Sequence, residues 1–159
     1  MKHILPFLLC GLLLTACTPH MPSPTELPTE FTETTAPASV TFTIYTPNEN
    51  ADGFYHTDIV IDTLHAQNVV DALIEAKVLN DGIRINSERL EGSRLFLDFN
   101  SAFCDQLKTY GTSGELMMIG SVVNTFLSAY GADSLIITAD GEIMESGHVI
   151  YDFPLEFTP

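Results

Sequence analysis

From position 40 onward the apolar residues fall into short runs of two distinct periods. Val40, Phe42 and Ile44 alternate with Thr41, Thr43 and Tyr45, the period of a strand with one buried face. Pro47-Asn48-Glu49-Asn50-Ala51-Asp52-Gly53 is dense in turn formers, and residues 56 to 62 return as a second strand around Ile59, Val60 and Ile61. The period then lengthens. Ala66, Val69, Val70, Leu73 and Ile74 recur at helical spacing and predict an amphipathic helix over about residues 65 to 79, closed by Asn80-Asp81-Gly82. Ile83 and Ile85 open a third strand, Glu91-Gly92 a hairpin turn, and Leu95, Leu97 and Phe99 alternate with Arg94, Phe96 and Asp98 on the returning strand. Thr112-Ser113-Gly114-Glu115 fits a capping box, with Thr112 as N-cap and Glu115 reaching back to the first free amide. Leu116, Ile119, Gly120, Val123, Leu127 and Tyr130 follow as the core face of a second helix, and Gly131 supplies a left-handed stop. Gly120 on that face permits close approach of a neighbouring layer. Leu135 to Ala139 forms a buried strand, Asp140-Gly141 a tight turn and Ile143-Met144 a short return.

The order β-β-α-β-β-α-β-β predicts an α+β fold, a mixed or antiparallel sheet with two helices packed on one face. The chain before position 40 is of another kind. Met1-Lys2-His3 is followed by an apolar run from Ile4 to Leu14 and by Thr15-Ala16-Cys17, the build of a secretory signal. The run is too short for a membrane-spanning helix, which needs roughly 20 apolar residues. Leu14-Thr15-Ala16-Cys17 is similar to a bacterial lipobox, so residues 1–16 are expected to be a lipoprotein signal peptide and Cys17 the diacylglyceryl-modified first residue of the mature protein. From Thr18 to Ser39 the composition shifts to Thr, Pro, Ser and Glu, which cannot bury enough apolar surface to fold. Residues 17–39 are therefore expected to be a lipidated cysteine and an extended tether reaching up to about 70 Å at polyproline rise, and residues 40–159 a single domain.

Charge narrows the partners. The chain carries 21 acidic and 6 basic side chains, a net charge of −15, and losing Lys2 with the leader makes it more acidic still. Nucleic acid is excluded as a partner, and anionic head groups are disfavoured. Of the 3 cysteines, Cys10 leaves with the leader and Cys17 takes the lipid. Cys104 then stands without a disulfide partner and is expected to pack as a small buried hydrophobe.

Candidate chemistry is sparse. Asn48, Asn50, Asp52 and Gly53 match the first half of a calcium loop, but its twelfth position is Ile59 instead of a bidentate Glu, which favours a hairpin turn. His56, Asp58, Asp62 and His65 are potential metal ligands, with 56, 58 and 62 sharing a strand parity, yet their spacing fits no tight motif. Ser113, His148 and Asp98 are the one triad worth naming. Ser113 lies at a helix start, not on a strained elbow, and no G-x-S-x-G is present. No catalytic, metal or cofactor site is expected.

Five short motifs carry a resemblance: Leu97-Asp98-Phe99-Asn100-Ser101, Gly111 with Gly114-Glu115, Val123-Asn124-Thr125-Phe126-Leu127, Ile136-Ile137-Thr138-Ala139-Asp140-Gly141, and Gly147-His148 with Pro154-Leu155. Together they resemble the GerMN domain of sporulation and spore-germination lipoproteins, over nearly all of residues 40 to 157. The resemblance implies a non-enzymatic α+β module, similar to the ring-building modules of sporulation complexes, held at the outer side of the cytoplasmic membrane by its N-terminal anchor and working through contacts with an envelope protein. It has one copy of the module where the sporulation protein has two in tandem. A solute- or ion-binding envelope lipoprotein is the alternative; it requires a ligand-sized cleft with converging polar groups, whereas an interaction module requires an exposed sheet edge or apolar patch.

Overall fold

A computed structural model describes residues 39–159; the expected signal peptide, Cys17 and nearly all of the tether lie outside the described residues. Strands β1 (Val40–Pro47) and β2 (Phe54–Ile61) form an antiparallel hairpin in which Phe42 faces Ile59 and Ile44 faces Thr57. Helix α1 (Ala66–Glu75) follows, then β3 (Ile85–Glu91), β4 (Arg94–Phe99), α2 (Ser101–Leu107), α3 (Thr112–Tyr130), β5 (Ser134–Ala139) and β6 (Glu142–Ile143). The last four strands make one mixed sheet in the order β3-β4-β5-β6, antiparallel except for the parallel β4–β5 pair. The parallel pair requires a crossover, and α2 and α3 supply it.

The α+β class is as the periodicity predicts, with two refinements. The first hairpin is a sheet of its own, and a third helix, α2, precedes the long one. Its seven residues are too few to show a helical period, although Phe103, Gln106 and Leu107 are buried along one side.

Helix α3 is the centre of the molecule. Every residue from Met117 to Leu127 is buried, the state of a helix enclosed on all sides. Leu95, Leu97, Phe99, Leu135 and Ile137 of the mixed sheet are buried with it, and Phe126 meets Phe99 edge-on at 6.2 Å. On another side α3 covers the free edge of β1: Ser128 Oγ accepts the Thr43 amide at 3.1 Å, and Thr125 Oγ1 accepts that of Tyr45 at 3.0 Å. An edge strand with unpaired amides invites aggregation, and here helix hydroxyls occupy them. Phe54 leans on Gly120, where a Cβ would sit 2.5 Å from the ring.

Three local expectations are corrected. Helix α1 ends at Glu75, short of residue 79, because Lys77 adopts the left-handed conformation (φ 63°). Lys77 N donates to Ile74 O and Val78 N to Leu73 O, a Schellman stop that turns Val78 and Leu79 into the core. The capping box does not form: Gly111 is the N-cap of α3, Thr112 is already helical, and no side chain caps the end. Glu115 instead points inward, 2% exposed, while its neighbour Leu116 is 55% exposed and leaves the predicted core face. The carboxylate is drawn in by Tyr151, whose hydroxyl donates to Oε1 at 2.5 Å. Gly131 (φ 60°) ends α3 as expected, and Asp140-Gly141 are both left-handed (φ 51° and 79°), as a type I′ hairpin turn demands.

Beyond β6 the chain turns at Ser146–Val149 and returns as a strap. Tyr151 N donates to Met144 O, Leu155 exchanges two 2.8 Å backbone bonds with Leu135, and Thr158 exchanges bonds of 2.6 and 2.9 Å with the side-chain amide of buried Asn124.

Candidate functional site

The residues proposed for chemistry are dispersed by the fold. Asn48 and Asp52 serve the β1–β2 turn: Asn48 Nδ2 donates to Asp52 Oδ1 at 2.8 Å and Asn48 Oδ1 accepts the Asp52 amide at 3.1 Å. The side chain that would face a cation is spent on the turn. His56 and Asp58 lie on the exposed face of β2, where Asp58 accepts the Thr43 hydroxyl at 2.7 Å. Asp62 and His65 fall after the strand, His65 as the N-cap of α1. Among the described residues no three His, Cys, Asp or Glu side chains converge as a metal site. Ser113 is exposed in the first turn of α3 and His148 exposed in the strap turn; neither shares a hydrogen bond with the other or with Asp98.

Asp98 organises a polar cluster at the sheet's end. Its Oδ1 accepts the Thr138 hydroxyl at 2.6 Å and the Gly141 amide at 2.8 Å, and its Oδ2 accepts Asn86 Nδ2 at 3.0 Å. Partial burial pushes its pKa up, and the three donors outweigh that, holding it below the ordinary carboxylate value. Asn86 also donates to Phe99 O and to Asp140 Oδ1, and Asp140 Oδ2 accepts the Ser101 amide. This network joins β3, the β4–α2 junction and the β5–β6 turn. Its carboxylates are satisfied from within the protein, which marks it as a clasp.

The helix motif has the same character. Asn124 ties down the strap, Thr125 closes the β1 edge, and Phe126 fills the core. Cys104 is half-buried against the core and free, and burial pushes its thiol pKa up, away from a reactive thiolate.

What the fold leaves open is the outer face of the four-stranded sheet. Strand alternation sends Leu95, Leu97 and Phe99 towards the helices, and therefore Arg94, Phe96 and Asp98 outward. Pairing lines these up with Glu91, Arg89 and Ser87 on one side and with Ser134, Ile136 and Thr138 on the other. Ile143, opposite Thr138, adds an apolar side chain that is 60% exposed. Phe96 divides two shallow clefts of about 220 Å³ each, one lined by Ser87, Arg89 and Ile136, the other by Ser93, Arg94 and Ser134. The Arg89 guanidinium lies 4.1 Å above the Phe96 ring and pairs with Glu91; Arg94 Nε donates to Ser134 Oγ at 3.3 Å. The alternation of β4 contained the signal, since Phe96 is an aromatic residue on a solvent-facing parity. Arg89 and Ser134 reach it only through pairing, which a single strand does not show.

A second opening, about 290 Å³, lies between the first hairpin and α1, lined by Ile44, Ile59, Ala72, Ala76, Thr46, Thr57 and Glu75. It is mostly apolar and holds one charged group. Among the described residues no helix is long and apolar enough to cross a membrane.

Comparison with known proteins places these features. The chain is similar to the tandem GerMN domains of the sporulation protein GerM from Bacillus subtilis, with 18% identity and a TM-score of 0.50 over 79% of this chain and 48% of that one. It spans about half of that tandem protein's length. It is also similar to the first GerMN domain of the same protein, with 16% identity and a TM-score of 0.51 over 74% of this chain and 97% of that one. At these identities the likeness concerns the fold. No curated protein matches the sequence significantly. The model of the Germane family, described as sporulation and spore germination, matches residues 43–145, and the chain belongs to that family.

Proposed function

We propose that the chain is a lipid-anchored GerMN-domain protein on the outer side of the cytoplasmic membrane, acting as a non-enzymatic interaction module for an envelope protein. The observation that carries this reading is the uncovered outer face of the mixed sheet. There Ile143 is 60% exposed and Phe96 and Ile136 are half-buried, while the Asp98 network beside them is closed on itself. Exposed apolar area bordered by charge is the mark of a contact surface. The family's link with sporulation and germination makes a spore-related complex the first setting to examine. The anchor rests on the lipobox-like Leu14-Thr15-Ala16-Cys17 and on the Pro- and Thr-rich segment that follows it.

Two measurements test the reading. Cys17→Ala should release the protein from the membrane fraction, and equal retention contradicts the anchor. Crosslinking of the full chain in cells, followed by mass spectrometry, should recover one envelope protein joined to residues of the mixed sheet. Recovery of a bound small molecule and no protein would favour a solute-binding lipoprotein, for which the opening beside α1 is one available volume.

A further inference from the structure

We infer that the hairpin end of the outer sheet face docks an acidic segment of a partner protein, whose carboxylates engage Arg89 and Arg94 on either side of Phe96. This rests on the reading of the chain as an interaction module and specifies the chemistry of its partner. Charge is the first argument. The chain has 6 basic side chains against 21 acidic ones, and two of the six stand here, on the two sides of one aromatic ring. An acidic segment is repelled by the acidic remainder of the surface, so this is where it can settle, and specificity follows from exclusion elsewhere.

Both arginines are also preorganised. Stacking on Phe96 holds Arg89 in place, and the Ser134 bond engages only one of the donors of Arg94. Guanidinium forks fixed in this way lose little freedom on meeting a carboxylate. Glu91 now pairs with Arg89, but the two side chains are 59% and 55% exposed, and an exposed pair contributes little that a partner's carboxylate would not replace. Phe96, with Ile136 beyond it on β5, offers apolar contact, and the hydroxyls of Ser87 and Ser93 offer polar contacts at the rims. Asp98 lines the same cleft as Arg89, at its other end, with its oxygens already bonded. Its charge sets direction: the acidic residues must lie towards the β3–β4 turn. A second copy of this chain, with net charge −15 like the first, is opposed by mutual repulsion.

The test uses the full chain and a fluorescent synthetic peptide of alternating Glu and Leu, beside a counterpart with Gln for Glu. The Glu peptide should bind, more weakly as salt rises, and the Gln peptide roughly tenfold more weakly. R89E/R94E should lose roughly tenfold or more in affinity for the Glu peptide and F96A a smaller amount, whereas R89K/R94K should retain part of it. Unchanged thermal unfolding of R89E/R94E shows that the fold is intact. Equal binding of both peptides, no binding by the unaltered chain, or full binding by R89E/R94E overturns the inference. Self-association of the unaltered chain in sedimentation, lost in R89E/R94E, also overturns it by assigning the face to a second copy. The wider reading fails separately. If R89E/R94E still crosslinks to its protein partner in cells, only the docking inference falls; if the unaltered chain crosslinks to no protein, the interaction module itself falls.

Discussion

At the scale of single residues, Gly120 and Asp98 make the sharpest predictions. Gly120 is where α3 admits the Phe54 ring, and a Cβ there meets ring carbons at 2.5 and 3.2 Å. Gly120→Ala should therefore destabilise the domain by about 1–3 kcal/mol, the usual range for overpacking. Phe54→Leu in the same chain should recover part of the loss, as chemical denaturation of the double variant would show. Asp98 predicts a pH dependence. Its pKa is lower when folded than the ordinary value of 3.8, so its stabilising contribution is complete above that value and is lost as pH falls through the folded pKa. In urea melts the stability gap between the unaltered chain and Asp98→Asn should be widest near neutrality and shrink below about pH 4; a constant gap would contradict the clasp. Gly120 and Gly131 were legible from their places in a helical period. Glu115 was not, because an acidic residue three places after Thr112 satisfies a capping pattern, and its burial depends on Tyr151, 36 residues away.

At the scale of elements, two helix ends show how neighbours override local signals. Helix α1 has no cap of its own, and Glu88 of β3 provides one: Oε2 accepts the Ala66 amide at 2.6 Å, and Oε1 accepts the Tyr130 hydroxyl at 3.1 Å. One exposed carboxylate thus ties α1, β3 and the end of α3 together. Glu88→Ala should cost about 1 kcal/mol, as loss of a helix cap usually does, with hydrogen exchange rising first in the opening turn of α1. The opposite end offers a gain. Lys77 holds a left-handed conformation that glycine adopts without steric cost, and Lys77→Gly should raise stability by about 0.5–1 kcal/mol in thermal melts. The first five strands and the two longer helices were readable because each carries enough residues to show its period, and β6 from the Asp140-Gly141 turn before it. Helix α2 was hidden by brevity. The stop of α1 was hidden because Asn80-Asp81-Gly82 is the stronger breaker by composition, whereas the core takes Val78 and Leu79 and forces the turn earlier.

At the scale of the described domain, the helices cover one face of the mixed sheet, the first hairpin packs on α3, the strap closes over α3, and no described element covers the opposite sheet face. The family motifs account for the closure: Asp98, Asn124 and Thr125 each join segments distant in sequence. They hold the frame of the domain together, whereas Arg89, Arg94 and Phe96 on the outer sheet face lie outside them. Fold and family were legible in the sequence, as was the solvent-facing parity of Phe96, while the neighbours of Phe96 on that face, Arg89 and Ile136, became visible only through strand pairing. The most direct test of the account is site-specific photocrosslinking in living cells, with a photoreactive residue in place of Ile143 on the outer sheet face or of His56 on the exposed face of β2. The account predicts a discrete adduct with an envelope protein from position 143 and none from position 56; adducts from position 56 alone would contradict it.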